Sequence, residues 1–230
     1  MNKYILLVLL LFVALGAGCS KQSEGSNSTT TPNQPRADEA VPPEFAPSGD
    51  AAADLVKMND RVIAAKSFKA MMLLDGTTPM TTELEFTAPD RYRLKSTGTL
   101  EMLYVGRATL IKVGDEWKLM SLPLDPKVGE IRGAFTAENM KDVSNVKYAG
   151  DETLNGRPAY LYTYNGRAPR VGAENDSKLW IAKTTGLPLK LESVYKTGII
   201  GTTTIEYDFE TPVTIELPAQ ARRVNPGYSK

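Results

Sequence analysis

The stretch MTTELEFTAPDRYRLK, residues 80–95, carries the pattern that decides the fold. In its first half, mainly apolar residues alternate with polar ones: the first set is Met80, Thr82, Leu84 and Phe86, and the second is Thr81, Glu83, Glu85 and Thr87. Successive side chains of a β-strand point to opposite faces, so this pattern predicts one dry and one wet face. The alternation resumes after Pro89, with Tyr92 and Leu94 on the dry side.

Similar strand segments recur along the rest of the chain. Ile205, Tyr207 and Phe209 alternate with polar residues, and short apolar segments lie around residues 67–75, 99–105, 107–113, 116–121, 146–153, 158–165, 177–183 and 187–195. Turn residues separate many of them: Asp75-Gly76, Gly114-Asp115, Asn155-Gly156, Asn165-Gly166 and Gly186. About eleven strands joined in sequence by tight turns predict an antiparallel meander, and a sheet that long must curl or close.

Two segments have a helical pattern. Asp50 can cap a helix that starts at Ala51, and its apolar stripe is formed by Leu55, Met58, Val62 and Ala65. Residues 125–145 lack the alternation of a strand, and the spacing of their apolar residues predicts two short helices or one kinked helix. This second segment lies between two halves of the sheet, so it either crosses the open side as a lid or completes the core.

The amino terminus has the pattern of a secretion signal. Lys3 precedes an apolar run over residues 4–15, and small residues precede Cys19, the only cysteine. The run is shorter than the roughly 20 residues of a spanning helix. The pattern resembles a bacterial lipobox, although Gly16 stands where leucine is usual. We therefore expect cleavage of residues 1–18 and acylation of Cys19; the alternative is an ordinary signal peptide with a chance cysteine.

The chain after Cys19 divides into two parts. Residues 19–49 are rich in Ser, Thr, Asn, Gln and Pro and have little to bury, which predicts a disordered tether. Residues 50–230 have a globular composition and are long enough for one domain with a core. We expect the tether to hold this domain away from the membrane surface.

The charge balance and the absence of histidine exclude several functions. The chain has 27 basic and 27 acidic residues, so it lacks the one-signed field that attracts nucleic acid. Without histidine, Ser-His-Asp and Cys-His catalysis and histidine-based zinc sites are impossible. Glu83 and Glu85 share a strand face as a glycosidase pair would, but they also fit the solvated face of a strand. We expect no enzyme activity, metal or cofactor.

The order of these elements resembles the LolA/LolB-like lipoprotein-carrier superfamily, whose relatives include mycobacterial lipid-binding lipoproteins and a periplasmic sensor of envelope stress. Local phrases resemble it too. FTAPDRYRL (86–94) is similar to its strand-Pro-strand corner, and LWI (179–181) followed by TGLPL (185–189) is similar to its late hairpin. YDF (207–209), with the segment from Pro212 to Pro218, resembles its closing strand.

The resemblance implies an α+β fold, in which helices cover the concave, apolar face of an incomplete antiparallel β-barrel that holds acyl chains. Burial of each methylene contributes about 0.8 kcal/mol, so such a site needs no motif. We expect the concave face to carry Leu84, Phe86, Leu94, Leu100, Met102, Tyr104, Ile205 and Tyr207. The alternative is that these residues form an ordinary core with the first helix.

Several aromatic residues have two interpretations. Tyr160, Tyr162 and Tyr164 alternate along one strand, so they either line a cavity rim or pack across strands. Trp117 and Trp180 are expected to be packing anchors. In the family's carrier, a basic residue precedes the proline of the strand-Pro-strand corner, and that residue is associated with transfer of the bound cargo. This chain has Ala88 there, and it is itself anchored, which disfavours a diffusing shuttle.

The sequence therefore predicts a membrane-anchored lipoprotein of the cell envelope that binds lipid or lipoprotein acyl chains in an apolar cavity, in lipid or lipoprotein trafficking. The alternative is an envelope sensor or scaffold that binds a protein partner without lipid cargo. Ser20 follows the acylated cysteine, whereas aspartate at that place retains many lipoproteins at the inner membrane. We expect the periplasmic face of the outer membrane if the host has two membranes.

Overall fold

The computed structural model describes residues 44–98, 100–106, 108–120, 132, 135–168, 173–197, 201–219 and 221. Within this part of the chain lie one α-helix, one short 3₁₀ helix and eleven β-strands, as many strands as the sequence predicts. The strands are β1 (Ser67–Gly76), β2 (Met80–Thr87), β3 (Arg91–Ser96), β4 (Leu100–Val105), β5 (Ala108–Val113), β6 (Glu116–Leu119), β7 (Val143–Leu154), β8 (Arg157–Ala168), β9 (Ala173–Ala182), β10 (Pro188–Tyr195) and β11 (Gly201–Asp208).

All eleven strands form one antiparallel sheet in the order β6-β5-β4-β3-β2-β1-β11-β10-β9-β8-β7. Strands β1–β6 and β7–β11 are two meanders, and they become one sheet where β1 pairs with β11 from Lys69–Asp208 to Gly76–Gly201. The predicted fold class, an incomplete antiparallel barrel with α+β composition, is confirmed. The expectation of one continuous meander is wrong between β6 and β7, because these consecutive strands lie at opposite edges of the sheet.

The helix α1 (Ala51–Ala64) begins where the sequence predicts. The Asp50 side chain accepts hydrogen bonds from the backbone N–H groups of Ala52 and Ala53, both at 3.1 Å, which satisfies two donors of the first turn. Leu55, Met58 and Val62 are buried against the sheet, as their spacing requires. Among the described residues, no helix is long and apolar enough to cross a membrane.

The second predicted helical segment, residues 125–145, lies partly outside the described residues, which here are 132 and 135–145. In its described part, Asn139–Asp142 form a 3₁₀ helix. The prediction is wrong for its last three residues, because β7 already begins at Val143 and pairs with Gly166 of β8. The β-branched valine and the 3₁₀ helix that precedes it suit the start of a strand better than a helical turn.

The two faces of the sheet pack differently. On the inner face, α1 covers β8 and β9 through a cluster that includes Leu179 and Ile181. On the outer face, an extended carboxy-terminal segment covers β4 and β5, because Val213, Ile215 and Leu217 pack on Leu103 and Leu110. A smaller outer cluster under β8–β10 contains Leu161, Trp180 and Leu189, and Trp117 packs beside the carboxy-terminal segment. Both tryptophans are therefore packing residues on the outer face.

The folded domain begins earlier than the predicted boundary at residue 50. Phe45, which the sequence analysis assigns to the tether, is fully buried in the cluster beneath α1. Its backbone N–H donates to the carbonyl of Lys183 at 3.2 Å, and Lys57 and Arg61 lie over its ring at 5.3 and 5.5 Å. A single aromatic residue in a polar segment gives no periodic signal, so only the tertiary contacts reveal this anchor.

Replacing Phe45 by alanine should lower the free energy of unfolding by about 3–5 kcal/mol, because the substitution leaves a cavity in a closed cluster. Urea unfolding followed by circular dichroism measures this loss. Val194→Ala, at an exposed position of β10, is the control and should change stability by less than about 1 kcal/mol. Equal effects of the two changes would mean that residues 44–49 are not part of the folded domain.

Burial also changes the acidity of one core tyrosine. Tyr104 of β4 is 7% exposed, and its hydroxyl donates to the sulfur of Met102 at 3.7 Å. Removal from water disfavours the phenolate, which raises the pKa of Tyr104 to about 12. The folded chain therefore keeps this proton at pH values where the unfolded chain, with a pKa near 10, has lost it.

The stabilisation from the neutral Tyr104 should be complete below pH 10 and should disappear as the pH rises through about 12. Tyr104→Phe lacks this titration, so its free energy of unfolding should fall less steeply between pH 9 and pH 11.5. The difference in slope should amount to about 1–2 kcal/mol, measured by urea unfolding at the two pH values. Identical pH profiles for the two proteins would contradict the assigned burial.

Candidate functional site

The inner face of β1–β4 is organised in rows of directly opposed residues. One row is aromatic: Phe68 opposes Phe86, Phe86 opposes Tyr92, and Tyr92 opposes Tyr104. The ring centroids of the first two pairs are 5.3 and 4.9 Å apart, within the range of favourable aromatic packing. This row is buried, and it closes one end of the inner face.

The next two rows of the inner face are mainly aliphatic. Ala70, Leu84, Leu94 and Met102 oppose one another in the second row, with Tyr207 of β11 beside Ala70. The third row runs from Ile205 through Met72, Thr82 and Ser96 to Leu100. The hydroxyl groups of Thr82 and Ser96 are hydrogen-bonded to each other, with their oxygens 2.8 Å apart. Polarity therefore rises from the aromatic end towards the third row.

All eight residues of the sequence-derived cavity prediction lie in this one cluster on the inner face. They divide by burial. Leu84, Phe86, Met102 and Tyr104 are buried, whereas the half-buried members are Leu94, Leu100, Ile205 and Tyr207. The first group is core packing in the described structure. The half-buried group is the part of this set that remains partly exposed to solvent, and we take it as the candidate site.

Sequence reasoning missed several members of the same cluster. Phe68, Ala70 and Tyr92 are buried in it, and Met120 and Phe209 pack against it. β1 reads FKAMMLLD over residues 68–75, with apolar residues on both faces, because Met71 and Leu73 point outward and remain exposed. Alternation alone therefore cannot assign the inner face of β1, although that strand lies at the centre of the sheet.

Charge is confined to the outer face over most of the sheet. The inner-face positions of β1–β5 and β8–β11 contain no Asp, Glu, Lys or Arg among the residues that the structure describes. Glu85 is on the outer face, where it pairs with Arg93 and lies 3.8 Å from Lys69. Glu83 points the same way, so the two glutamates are a solvated strand face and not a pair facing a cleft.

The three tyrosines of β8, Tyr160, Tyr162 and Tyr164, pack in the cluster that holds α1 to the sheet. Tyr162 is buried and donates to Asp54 Oδ2 at 2.8 Å, and the same carboxylate accepts the backbone N–H of Ser48 at 3.0 Å. Tyr164 meets Phe135 edge to face with ring centroids 5.4 Å apart. Burial raises the pKa of both tyrosines, so both hydroxyls stay neutral. Tyr160 remains half-buried beside Phe45.

A basic residue from the connection between the meanders contacts the proline corner. The Arg132 guanidinium lies 4.1 Å from the ring centre of Phe86, and its Nη1 donates to the carbonyl of Ile63 at 2.8 Å. Its Nη2 is 3.4 Å from the carbonyl of Pro89. The positive charge next to this corner therefore comes from a distant part of the chain, whereas the residue before the proline is Ala88.

A concavity lies on the outer face of β7–β10. It measures about 590 Å³ and is open and polar, lined in part by Lys147, Asp176, Lys178, Glu192 and Lys196. Such a lining does not suit a hydrocarbon chain, because charged side chains lose hydration when they are covered. Among the described residues, no group of three or more Cys, Asp or Glu residues could hold a metal ion.

Comparison with known proteins finds likeness in structure but not in sequence. The chain matches no known family description and no curated protein. Among solved structures, it is similar to the lipoprotein LppX of Mycobacterium tuberculosis, with 14% identity and a TM-score of 0.56 over 74% of this chain and 100% of LppX. It is similar to LprF of Mycobacterium bovis, with 16% identity and a TM-score of 0.56 over 75% and 99% of the two chains.

A LolA superfamily protein from Nitrosomonas europaea also matches, with 11% identity and a TM-score of 0.29 over 74% of this chain and 96% of that protein. At such identities, structural likeness establishes the fold alone. LppX and LprF are matched over nearly their whole length, and the eleven-strand open sheet agrees with the order of elements read from the sequence. The chain therefore has the same fold as LppX and LprF.

Proposed function

We propose that this protein is a membrane-anchored lipoprotein that binds lipid or lipoprotein acyl chains on the inner face of its sheet. The observation that carries the proposal is the absence of charge from the inner-face positions of β1–β5 and β8–β11 in the described residues, together with the half-buried apolar group Leu94, Leu100, Ile205 and Tyr207. Charged residues of these strands point outward, so an apolar ligand that lies on β1–β5 or β8–β11 contacts uncharged strand residues.

The energetics of this face suit an acyl chain. Each methylene that leaves water contributes about 0.8 kcal/mol, so a few methylenes against the half-buried residues already give useful affinity. The sheet itself is the rigid part of the site, because its strands are hydrogen-bonded on both sides except at β6 and β7.

The proposed setting is the cell envelope. The signal pattern and Cys19 support an anchored protein, and the likeness to LppX, which is described as a lipoprotein, supports the same setting. The outer membrane, at its periplasmic face, is the proposed location in a host with two membranes, because Ser20 follows Cys19. We propose a role in lipid or lipoprotein trafficking, without enzymatic activity, and the uncharged inner-face positions of β1–β5 and β8–β11 support it.

Acyl-chain binding should depend on Ile205, which is half-buried on the inner face. Residues 20–230 contain every described residue. We expect native mass spectrometry of these residues, exported behind a cleavable signal peptide that lacks a lipidation cysteine and purified from a bacterial envelope, to find co-purified lipid. Ile205→Glu should lower the affinity for a fluorescent acyl probe at least tenfold, because the bound chain would cover a carboxylate. The matched control is Thr204→Glu, on the outer face of the same strand, with an expected change below twofold.

Circular dichroism and urea unfolding of both variants separate loss of binding from loss of fold. Protein that carries no lipid and ignores acyl probes would contradict the proposal. A stoichiometric protein partner recovered from crosslinked envelopes, with no lipid bound, would instead favour the sensor or scaffold role.

Anchoring should depend on Cys19. Cys19→Ser removes the thiol that would be acylated, so the exported protein should move from the membrane fraction to the soluble envelope fraction. Membrane fractionation with immunoblotting measures the change, and Ser20→Ala, which keeps the thiol, is the control. Retention of the Cys19→Ser protein in the membrane fraction would mean that another part of the chain holds it there.

A further inference from the structure

The outer face of β7–β9 carries two lysines with a threonine between them. In the strand registers, Lys147 opposes Thr163, and Thr163 opposes Lys178. All three line the concavity of about 590 Å³ on this face. We call these three residues the lysine row. Directly opposed side chains of neighbouring strands are within reach of each other, so both ammonium groups can approach the threonine hydroxyl.

An irregularity of β7 places one of these lysines on the outer face. The register of β7 against β8 shifts between Ser144 and Lys147, so β7 contains one extra residue there. Asn145 takes the left-handed conformation at this bulge, with a φ of 53°. The extra residue turns Val146 to the inner-face cluster beside α1 and Lys147 outward, opposite Thr163. In a regular strand, these two side chains would exchange faces.

The carboxylates of the concavity are paired with other lysines. Asp176 lies 2.6 Å from the ammonium of Lys196. Glu192 opposes Lys178 in the strand register, but its carboxylate lies 3.2 Å from the ammonium of Lys190. Each of the two negative charges is therefore already balanced by a cation outside the lysine row.

The lysine row itself has no partner among the residues that the structure describes. Neither Lys147 nor Lys178 forms an ion pair or a side-chain hydrogen bond with a described residue, and the Thr163 hydroxyl forms no hydrogen bond with one. Two ammonium groups at neighbouring positions repel each other, and a bound anion removes that repulsion. The concavity therefore holds two positive charges that no described carboxylate balances.

The donors of the lysine row match a phosphate monoester better than a carboxylate. A phosphate monoester has a charge of about −2 above its second pKa near 6, and it has three terminal oxygens. Two ammonium groups and one hydroxyl supply two positive charges and at least three donors, whereas a carboxylate would leave one cation unbalanced. The other lining residues, among them Asn145 and Asn165, are mainly polar and suit hydroxyl groups of the ligand.

We propose that the lysine row is the binding site of a phosphate monoester group. Lys147 and Lys178 bind the phosphate from either side, Thr163 donates to a terminal oxygen between them, and the polar remainder of the ligand lies in the concavity. The site is on the opposite face of the sheet from the candidate acyl-binding residues, so the assignment goes beyond the proposed function and does not depend on it.

Glucose 1-phosphate and glucose are matched probes of the site. Residues 20–230 are titrated at pH 8 and low ionic strength, where screening of exposed charges is weak, and the amide chemical shifts measured by NMR give the affinity and the location. Glucose 1-phosphate should shift the amides around the lysine row and bind at least about tenfold more tightly than glucose. Equal binding of the two sugars, or no binding of glucose 1-phosphate, overturns the assignment.

Lys147→Gln and Lys178→Gln each remove one positive charge from an exposed side chain. Each should weaken glucose 1-phosphate binding about fivefold or more and leave the midpoint of urea unfolding unchanged. The matched control, Lys95→Gln, removes an exposed lysine from the outer face of β3 and should change the affinity less than about twofold. An equal loss in the control would show a response to net charge alone, which overturns the assignment.

Glu192→Gln tests the site by a gain of affinity. It removes the negative charge next to Lys178, so glucose 1-phosphate should bind about twofold to fivefold more tightly. Unchanged or weaker binding in this variant would place the phosphate away from the lysine row and would contradict the assignment.

Vesicles distinguish the two sources of a phosphate monoester group. Phosphatidylcholine vesicles with and without phosphatidic acid are sedimented with residues 20–230. Binding of glucose 1-phosphate without an effect of phosphatidic acid supports the site with a water-soluble ligand. Vesicle binding that requires phosphatidic acid and is lost in both Lys147→Gln and Lys178→Gln supports the same site with a lipid headgroup as the source.

Discussion

The pairing of β1 with β11 is the constraint on which the rest of the structure depends. It joins the first strand of one meander to the last strand of the other through eight opposed residue pairs. Without it, β1–β6 and β7–β11 would be two separate sheets, each with an additional unpaired edge. With it, the apolar rows of β1–β4 and the inner-face residues of β8–β11 belong to one continuous inner face.

The helix is held to this sheet by a polar contact as well as by apolar packing. The Asp54 carboxylate is buried, and it accepts hydrogen bonds from the Tyr162 hydroxyl and from the Ser48 backbone N–H. One side chain therefore connects α1, the sheet and the segment that enters the domain. A buried carboxylate is tolerated only where such hydrogen bonds replace water, which makes this arrangement specific to one placement of the helix. Phe45 packs in the same cluster, so the segment that precedes α1 is held against the helix.

Separation of charge between the two faces links the fold to the proposed function. The outer face carries the ion pairs, such as Glu85 with Arg93 and Glu101 with Lys112, and water solvates it. The inner face offers hydrocarbon, aromatic rings and hydroxyls. A surface of this kind gives little attraction to a charged group but can be covered by an acyl chain without leaving a buried charge. Arg132 brings its charge only to the closed end of the face, over the ring of Phe86.

The sequence by itself determined the features that depend on neighbouring residues: the signal pattern with Cys19, the cap at Asp50, the dry and wet sides of most strands, and eight of the thirteen described members of the inner-face cluster. These follow from backbone periodicity, which is local. Only the tertiary structure decided that β1 pairs with β11, that Phe45 is buried, and that Tyr164, Ser177, Ser193 and Thr203 are aligned. Those features join residues far apart in the chain, and their registers come from packing that no local pattern encodes.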